Sequence, residues 1–337
     1  MTLPVFKKHS VPVVLAPMAG ISDTVFRRIC AEHGCDFTYT EMVSAKGLFY
    51  GGKKTRELIR VSDAERPAAV QLFGSEPGIV SDMIKAIADE YSGEIAMIDI
   101  NMGCPMPKIT GNGEGSALMR DVNKAARLME AAVKASPLPV SCKFRKGWDE
   151  AHVNAVEFAR AMEQSGAAMM TVHGRTREQL YQGQADREII AEVVSAVSVP
   201  VFGNGDVFSG ESALDMLEKT GCAGLMVARG AQGNPFIFDE IRAALEGAPY
   251  SPPSEYNRMS EAIRHARLFL EEKDPKLFPE LRKHMSWYTK GMRGSTELRR
   301  AVNAVRSPEG LMKLLYRFRD TLEPENGDNP AEGRGEE

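Results

Sequence analysis

The chain has 337 residues, of which 43% are hydrophobic and 26% charged, and a net charge of −4. This length suits one large α/β domain with a smaller one beside it, and it can bury a core without disulfide or metal staples. The five cysteines (Cys30, Cys35, Cys104, Cys142, Cys222) form no C-x-x-C pair and no zinc spacing, so a zinc module is excluded and a reducing cytosol is expected.

From Val11 to about Glu246, short apolar runs alternate with longer amphipathic stretches. Strands are predicted at Val13–Ala16, Phe37–Glu41, Ala68–Leu72, Ala96–Ile100, Val140–Phe144, Met169–Val172, Val201–Phe202 and Leu225–Ala228. Helices are predicted at Thr24–Glu32, Gly78–Tyr91, Val122–Ala135, His152–Gln164, Arg187–Ala196, Glu211–Lys219 and Phe236–Leu245, while Ala45–Leu58 has no clear period. Strands alternating with helices imply βαβ units and a parallel sheet. Eight such units predict an α/β fold of the (β/α)8 TIM-barrel type over residues 1–246. An open doubly wound sheet usually carries a G-x-G-x-x-G turn after its first strand, and this chain has none there.

A Pro- and Ser-rich linker follows at 247–254. Residues 255–322 have helical periodicity broken at Pro275, Pro279, Gly291, Gly294 and Pro308, which predicts a small helical domain. Residues 255–319 carry 15 Lys+Arg against 8 Asp+Glu, a local basic excess suited to a polyanionic partner. The acidic tail, 323–337, is expected to be disordered. No apolar run reaches the roughly 18 residues of a membrane span and the N-terminus has no long apolar stretch, so a cytoplasmic protein with no membrane contact is expected.

Barrel enzymes carry their chemistry at the C-terminal ends of their strands. Strand one is followed by Pro17-Met18-Ala19-Gly20. The second ends at Glu41 and the third carries Gln71. Strand four leads to Asn101 and to Cys104, between Gly103 and Pro105. Strand five carries Lys143 and Arg145, and strand six leads to His173-Gly174-Arg175. The last two lead to Asn204-Gly205-Asp206 and to Arg229-Gly230-Ala231. Singly, each has a plainer reading: Asn204-Gly205 as a turn, His173 as a satisfied buried histidine, Gln71 as a backbone cap. A buried lysine such as Lys143 needs a partner or ligand. Their common phase with the strand ends makes one mouth the better reading.

Barrels commonly bind phosphate after strands seven and eight. Glycines there let backbone N–H groups approach phosphate oxygens, and Arg229 adds charge. A phosphate-bearing cofactor is therefore expected, its ring over the mouth, with Pro17-Met18 as an apolar floor and Gln71 and Lys143 at a ring edge. Cys104, a thiol at a strand end, can serve as an acid or a nucleophile near neutrality.

With these residues the chain resembles the tRNA-dihydrouridine synthases, and within them the bacterial B-type branch. The motifs are Ala16-Pro17-Met18-Ala19-Gly20, Gln71-Leu72-Phe73-Gly74, Asn101-Met102-Gly103-Cys104-Pro105, Lys143-Phe144-Arg145-Lys146-Gly147, Thr171 through Arg177, Asn204-Gly205-Asp206 and Ala228-Arg229-Gly230. The stretch Arg282-Lys283-His284 through Lys290-Gly291 is similar to that family's helical RNA-binding domain. The resemblance implies FMN held by Pro17, Met18, Ala19, Gln71, Lys143, His173, Asn204, Gly205, Asp206, Arg229 and Gly230. It implies Cys104 as proton donor, with Asn101, Arg145 and Arg175 at the substrate base. It also implies NADPH as reductant, tRNA as partner and no metal; a monomer is expected.

Three rivals make different predictions. A free-pyrimidine flavoenzyme similar to the dihydroorotate dehydrogenases has no use for the basic domain. A Schiff-base aldolase using Lys143 predicts a colourless protein. An RNA-binding module without activity predicts tRNA binding and no turnover. The glycines at 111, 113 and 115 are spaced too loosely for a helix, so Met106–Met119 is expected to be a mobile lid carrying Cys104.

Overall fold

The structure, a computed structural model, describes residue 6 and residues 9–323. Eight strands lie in one sheet: β1 Val13–Leu15, β2 Val43–Ser44, β3 Ala68–Phe73, β4 Ile95–Met102, β5 Val140–Gly147, β6 Met169–Thr176, β7 Val201–Asn204 and β8 Gly224–Val227. Their order is β1-β8-β7-β6-β5-β4-β3-β2, and every pairing is parallel. The ring closes through residues 36–40, which exchange backbone bonds with β1 (Leu15 N to Phe37 O, 3.1 Å) and β3 (Ala69 N to Thr38 O, 2.9 Å). This is the predicted (β/α)8 barrel.

Helices α1 Thr24–Glu32, α2 Ala45–Phe49, α3 Lys53–Glu57, α4 Pro77–Glu90, α5 Pro107–Thr110, α6 Val122–Ala135, α7 Ala155–Gln164, α8 Arg187–Ala196 and α9 Gly210–Thr220 connect the strands, and α10 Ile237–Glu246 follows β8. The apolar stripes of the longer helices bury against the outward faces of the strands. Phe26, Ile84, Leu128, Phe158 and Ile190 share one core with Val13, Leu15, Val70 and Val172. The inward faces form a separate core of Phe6, Val14, Phe37, Tyr39, Ala69, Met97, Met169, Phe202 and Met226. Alternation with period two puts Val14 inside while Val13 and Leu15 face the helices.

Four local expectations differ from the structure. The segment predicted as strand two, Phe37–Glu41, forms isolated bridges, and the regular pairing with β3 comes at Val43–Ser44. The hydroxyl of Thr40 accepts the Gln71 N–H at 3.1 Å, so a side chain replaces a backbone carbonyl and interrupts the ladder. Ala45–Leu58, expected to be irregular, holds α2 and α3. The helix predicted from His152 begins at Ala155, because Trp148 N–H binds His152 O at 3.2 Å and holds 148–152 as a turn. The stretch 106–119 contains α5 and a 3-10 helix over Gly115–Arg120. The tail expectation falls almost wholly on 324–337, outside the described residues.

The chain divides into two units, Met1–Ala231 with Ile237–Pro249, and Gln232–Phe236 with Tyr250–Glu337. The second unit contains α11 Glu255–Glu272, α12 Leu281–Tyr288, α13 Ser295–Ala304 and α14 Pro308–Arg319. Met259, Ala262, Ile263, Ala266 and Phe269 follow helical spacing along α11 and are buried with Leu281, Met285, Leu298, Val302, Leu311 and Leu315. Among the described residues, no helix is long and apolar enough to cross a membrane.

Candidate active site

Climbing the barrel interior, the inner face turns from apolar to polar. On β4 the inward residues are Met97, Asp99 and Asn101, and on β5 they are Ser141, Lys143 and Arg145. On β6 they are Met169, Thr171, His173 and Arg175. Strand register sets them side by side: Gln71 by Asp99, Asp99 by Ser141, Asn101 by Lys143, Arg145 by His173, and His173 by Asn204. The strand-end residues of β3 to β7 therefore do converge on one mouth.

Cys104 lies two residues past β4 and is half-buried, while the other four cysteines are buried. Its N–H donates to Asn101 Oδ1 at 2.9 Å, as does that of Gly103 at 3.2 Å. Its carbonyl accepts from Ser116 N (3.0 Å) and Ser116 Oγ (2.9 Å). At Gly115, φ is +59°, and a Cβ there would lie 2.8 Å from the Cys104 oxygen, so only glycine lets the two segments approach. Burial pushes the thiol pKa up, partly offset by the Met106 amide and by the Arg145 and Lys143 cations. The thiol is therefore protonated near neutrality.

Lys143 is half-buried and donates to Asn204 Oδ1 at 2.8 Å. Burial, with Arg145 beside it, lowers its pKa to about 7. Asn204 in turn donates from its Nδ2 to Met226 O at 2.8 Å. Arg145 is 4% exposed. Its Nε donates to Gly103 O (2.8 Å), and one amino group donates to Thr176 O (2.8 Å) and Leu180 O (3.0 Å). The other amino group makes no hydrogen bond among the described residues, which leaves it for a ligand. Burial, with surrounding Lys143, Arg145, Arg175 and Arg229, drives the His173 pKa well below its usual value, so its ring is neutral. Arg175 approaches His173 Nε2 at 3.4 Å and can only donate, which assigns the ring proton to Nδ1.

Arg175, expected at the substrate base, is held by several groups of the protein. It is 1% exposed and donates to Gln182 O, Gly183 O and both oxygens of Asp206 at 2.6–3.0 Å. Asp206 also accepts from Ala185 N (2.7 Å) and Arg229 (2.9 Å). Its carboxylate thus clips two arginines and the 182–185 loop. Gly205 (φ +124°) and Asp206 (φ +53°) turn the backbone tightly, and a Cβ at Gly205 would sit 2.6 Å from that of Ala185. Arg229 lies over the Tyr181 ring at 4.9 Å and near Phe208 at 5.4 Å. Arg175, Tyr181, Asp206, Phe208 and Arg229 line a cleft of about 850 Å³. Pro17 and Met18 are half-buried and Ala19 is exposed, with Met18 N–H on Ser22 Oγ at 2.8 Å.

Chemically, the mouth offers a proton on sulfur, the Arg145 cation, a lysine amine that titrates near neutrality, a neutral imidazole N–H and an arginine beside a tight glycine turn. The donors fit a carbonyl-bearing ring edge and an anionic group. Gln71 is fully buried, with its amide spent on Asp99 (2.7 Å) and Asn101 (2.8 Å), though one N–H and one lone pair remain. Sequence reasoning missed Asp99, Ser141, Ser116, Tyr181 and Phe208. Counting back two from Asn101 and from Lys143 would have found the first two. Among the described residues, no group of three or more His, Cys, Asp or Glu side chains could hold a metal.

The sequence model of the dihydrouridine synthase (Dus) family matches residues 14–322. A probable tRNA-dihydrouridine synthase of Treponema pallidum is 41% identical over 87% of this chain and 88% of its own length. One from Rhodobacter capsulatus is 42% identical over 90% and 93%. The tRNA-dihydrouridine synthase B of Pseudomonas aeruginosa is 37% identical over 91% and 92%. Histamine dehydrogenase from Rhizobium sp. 4-9 shares the fold, with a TM-score of 0.54 at 14% identity over 71% of this chain and 46% of the other. Matched over nearly its whole described length, with the strand-end motifs gathered at one mouth, the chain belongs to the dihydrouridine synthase family of enzymes.

Proposed function

We propose that this protein reduces particular uridines of tRNA to 5,6-dihydrouridine, with FMN as its bound cofactor and NADPH as reductant. The observation that carries this reading is the Cys104 turn: a protonated thiol beside Arg145 and Lys143, fixed at both its N–H and its carbonyl. The phosphate of FMN fits Arg229, Gly230 and the Asn204-Gly205-Asp206 turn. Its ring fits Pro17, Met18, Ala19, Gln71, Lys143 and the His173 Nδ1–H. When bound and reduced, FMN supplies hydride for C6 of the uracil.

The chain's own groups do the rest. Cys104 delivers a proton to C5, and its half-buried sulfur regains one from water. Arg145, through its spare amino group, and Lys143 stabilise negative charge building on the C4 carbonyl. Asn101 holds the Cys104 turn and has a second amide N–H for the base. Arg175 contributes by fixing the 182–185 loop and Asp206. The target uridine must leave its stack to reach this depth. The basic helical stretch 255–319, within the second unit, grips tRNA phosphates, with affinity that falls as salt rises.

The test is dihydrouridine formation in unmodified tRNA with NADPH. Wild type forms it, and Cys104→Ala retains FMN while losing about 10²–10⁴-fold in rate. Full activity in Cys104→Ala would remove the proton-donor role, and a wild type that yields no dihydrouridine would remove the function itself.

A further inference from the structure

Beneath the mouth runs a chain of buried polar groups, of which Asp99 and Ser141 have no role in the reaction above. Ser141 Oγ donates to Asp99 Oδ1 (2.6 Å), and Gln71 Nε2 donates to Asp99 Oδ2 (2.7 Å). Asn101 Nδ2 donates to Gln71 Oε1 (2.8 Å), and Asn101 Oδ1 accepts from the N–H groups of Gly103 and Cys104. Gln71, Asp99 and Asn101 are 0%, 1% and 8% exposed, so no bulk water can replace a lost partner.

A primary amide has one donor end and one acceptor end of nearly equal size. Either amide here could be reversed at little steric cost, so something at the ends must set the direction. One end is the backbone of Gly103 and Cys104, which only donates. The other is Asp99, which only accepts when ionised. Its carboxyl is raised to about 6, first by burial, with the Gln71 and Ser141 hydrogen bonds and Lys143 pulling it down, so it is ionised at pH 7 and above. Both ends demand the direction observed. Reversal would press the Asn101 amino group against two backbone N–H groups and open the turn.

We propose that Asp99 is a positioning residue whose carboxylate sets the polarity of the Gln71–Asn101 relay and thereby holds the Cys104 turn in place. This concerns the position of the turn, and it stands whether or not Cys104 is the proton donor.

Polarity can be tested by inverting it. In Asn101→Asp, a carboxylate oxygen meets Gln71 Oε1, and the single Gln71 amino group cannot serve Asp99 and the new carboxylate at once. Adding Asp99→Asn removes the conflict. The new amide accepts from Ser141 and donates to a reversed Gln71, whose amino group then reaches the position-101 carboxylate. The other oxygen of that carboxylate still accepts the Cys104 N–H. The readout is alkylation of Cys104 by iodoacetamide at pH 8 in the full chain as purified, the other cysteines being buried, together with the melting temperature. Asn101→Asp alone should speed alkylation about tenfold, within the range of coupling between directly bonded side chains. The double variant should return it to within about threefold of wild type and recover the melting temperature. Asp99→Asn alone should do less, because its amide can keep oxygen toward Gln71. A double variant as reactive as Asn101→Asp, or less stable than it, would overturn the proposal. Should Asn101→Asp fold poorly, the melting temperature of the double variant reads the same coupling. Turnover of tRNA is not part of the test, so its outcome is separate from that of the proposed function.

Discussion

Lys143→Met should make the cofactor-free protein more stable while disabling it. A lysine whose folded pKa is about 7 rather than 10.5 resists protonation in the fold. Each unit of difference is about 1.4 kcal/mol, so burying the charged form costs at most about 5 kcal/mol. Two corrections lower the gain from removing it. The side chain keeps some contact with water at the mouth, and Asn204 Oδ1 loses the donor at 2.8 Å, a loss of about 1 kcal/mol or more. A net gain of about 2–3 kcal/mol remains, equivalent to roughly 4–12 °C in melting temperature for a domain of this size.

The sign with pH follows from linkage. Below pH 7 the lysine is charged in both folded and unfolded chains, and the full cost is present. Between 7 and 10.5 the folded lysine is neutral and the unfolded one charged, so the cost shrinks. Above 10.5 it is gone. Urea unfolding of wild type and Lys143→Met at pH 6, 8 and 9.5 should show an advantage for methionine that is largest at pH 6. A variant no more stable than wild type at pH 6, or an advantage that does not narrow as pH rises, would refute the reasoning. The same variant should weaken FMN retention or slow turnover by about 10²-fold, because one cation and its donors are lost.

Gly115→Ala sets a Cβ 2.8 Å from the Cys104 oxygen at φ +59°; it should cost about 1–3 kcal/mol in denaturant unfolding and lower kcat more than it raises KM. Asp206→Asn removes the charge that clips Arg175 and Arg229. Burial alone would raise the Asp206 pKa, but Arg175, the Ala185 N–H and Arg229 outweigh it and hold it down. The stability Asp206 contributes is therefore present above the ordinary carboxyl pKa and lost as pH falls through the folded one, so variant and wild type should differ in melting at pH 7 and converge in acid. Glu65→Gln strands Arg27, which is 1% exposed and donates to Glu65 at 2.6 Å. Breaking such a pair costs about 3–5 kcal/mol, read as a fall in melting temperature of roughly 6–20 °C.

The sequence by itself determined the barrel and the address of its chemistry. Eight short apolar runs spaced by amphipathic stretches have few parallel solutions; Lys143, His173 and Asn204 stand at strand ends where period two turns them inward, and Cys104 follows in the turn two residues past β4. Strand two was misplaced because the Thr40 hydroxyl takes a ladder bond that no propensity reveals. What each polar group does with its donors was left to tertiary structure. Asp99, Gln71 and Asn101 meet only through the register of β3 on β4, set across a crossover helix. Arg175 pairs with Asp206 because the turn at Gly205 brings that carboxylate back to it. Residues 232–236, continuous with the barrel in sequence, cluster with the second unit. In each case the deciding contact is a hydrogen bond or packing contact between segments distant in the chain, so local pattern can show which residues are available but not which of them meet.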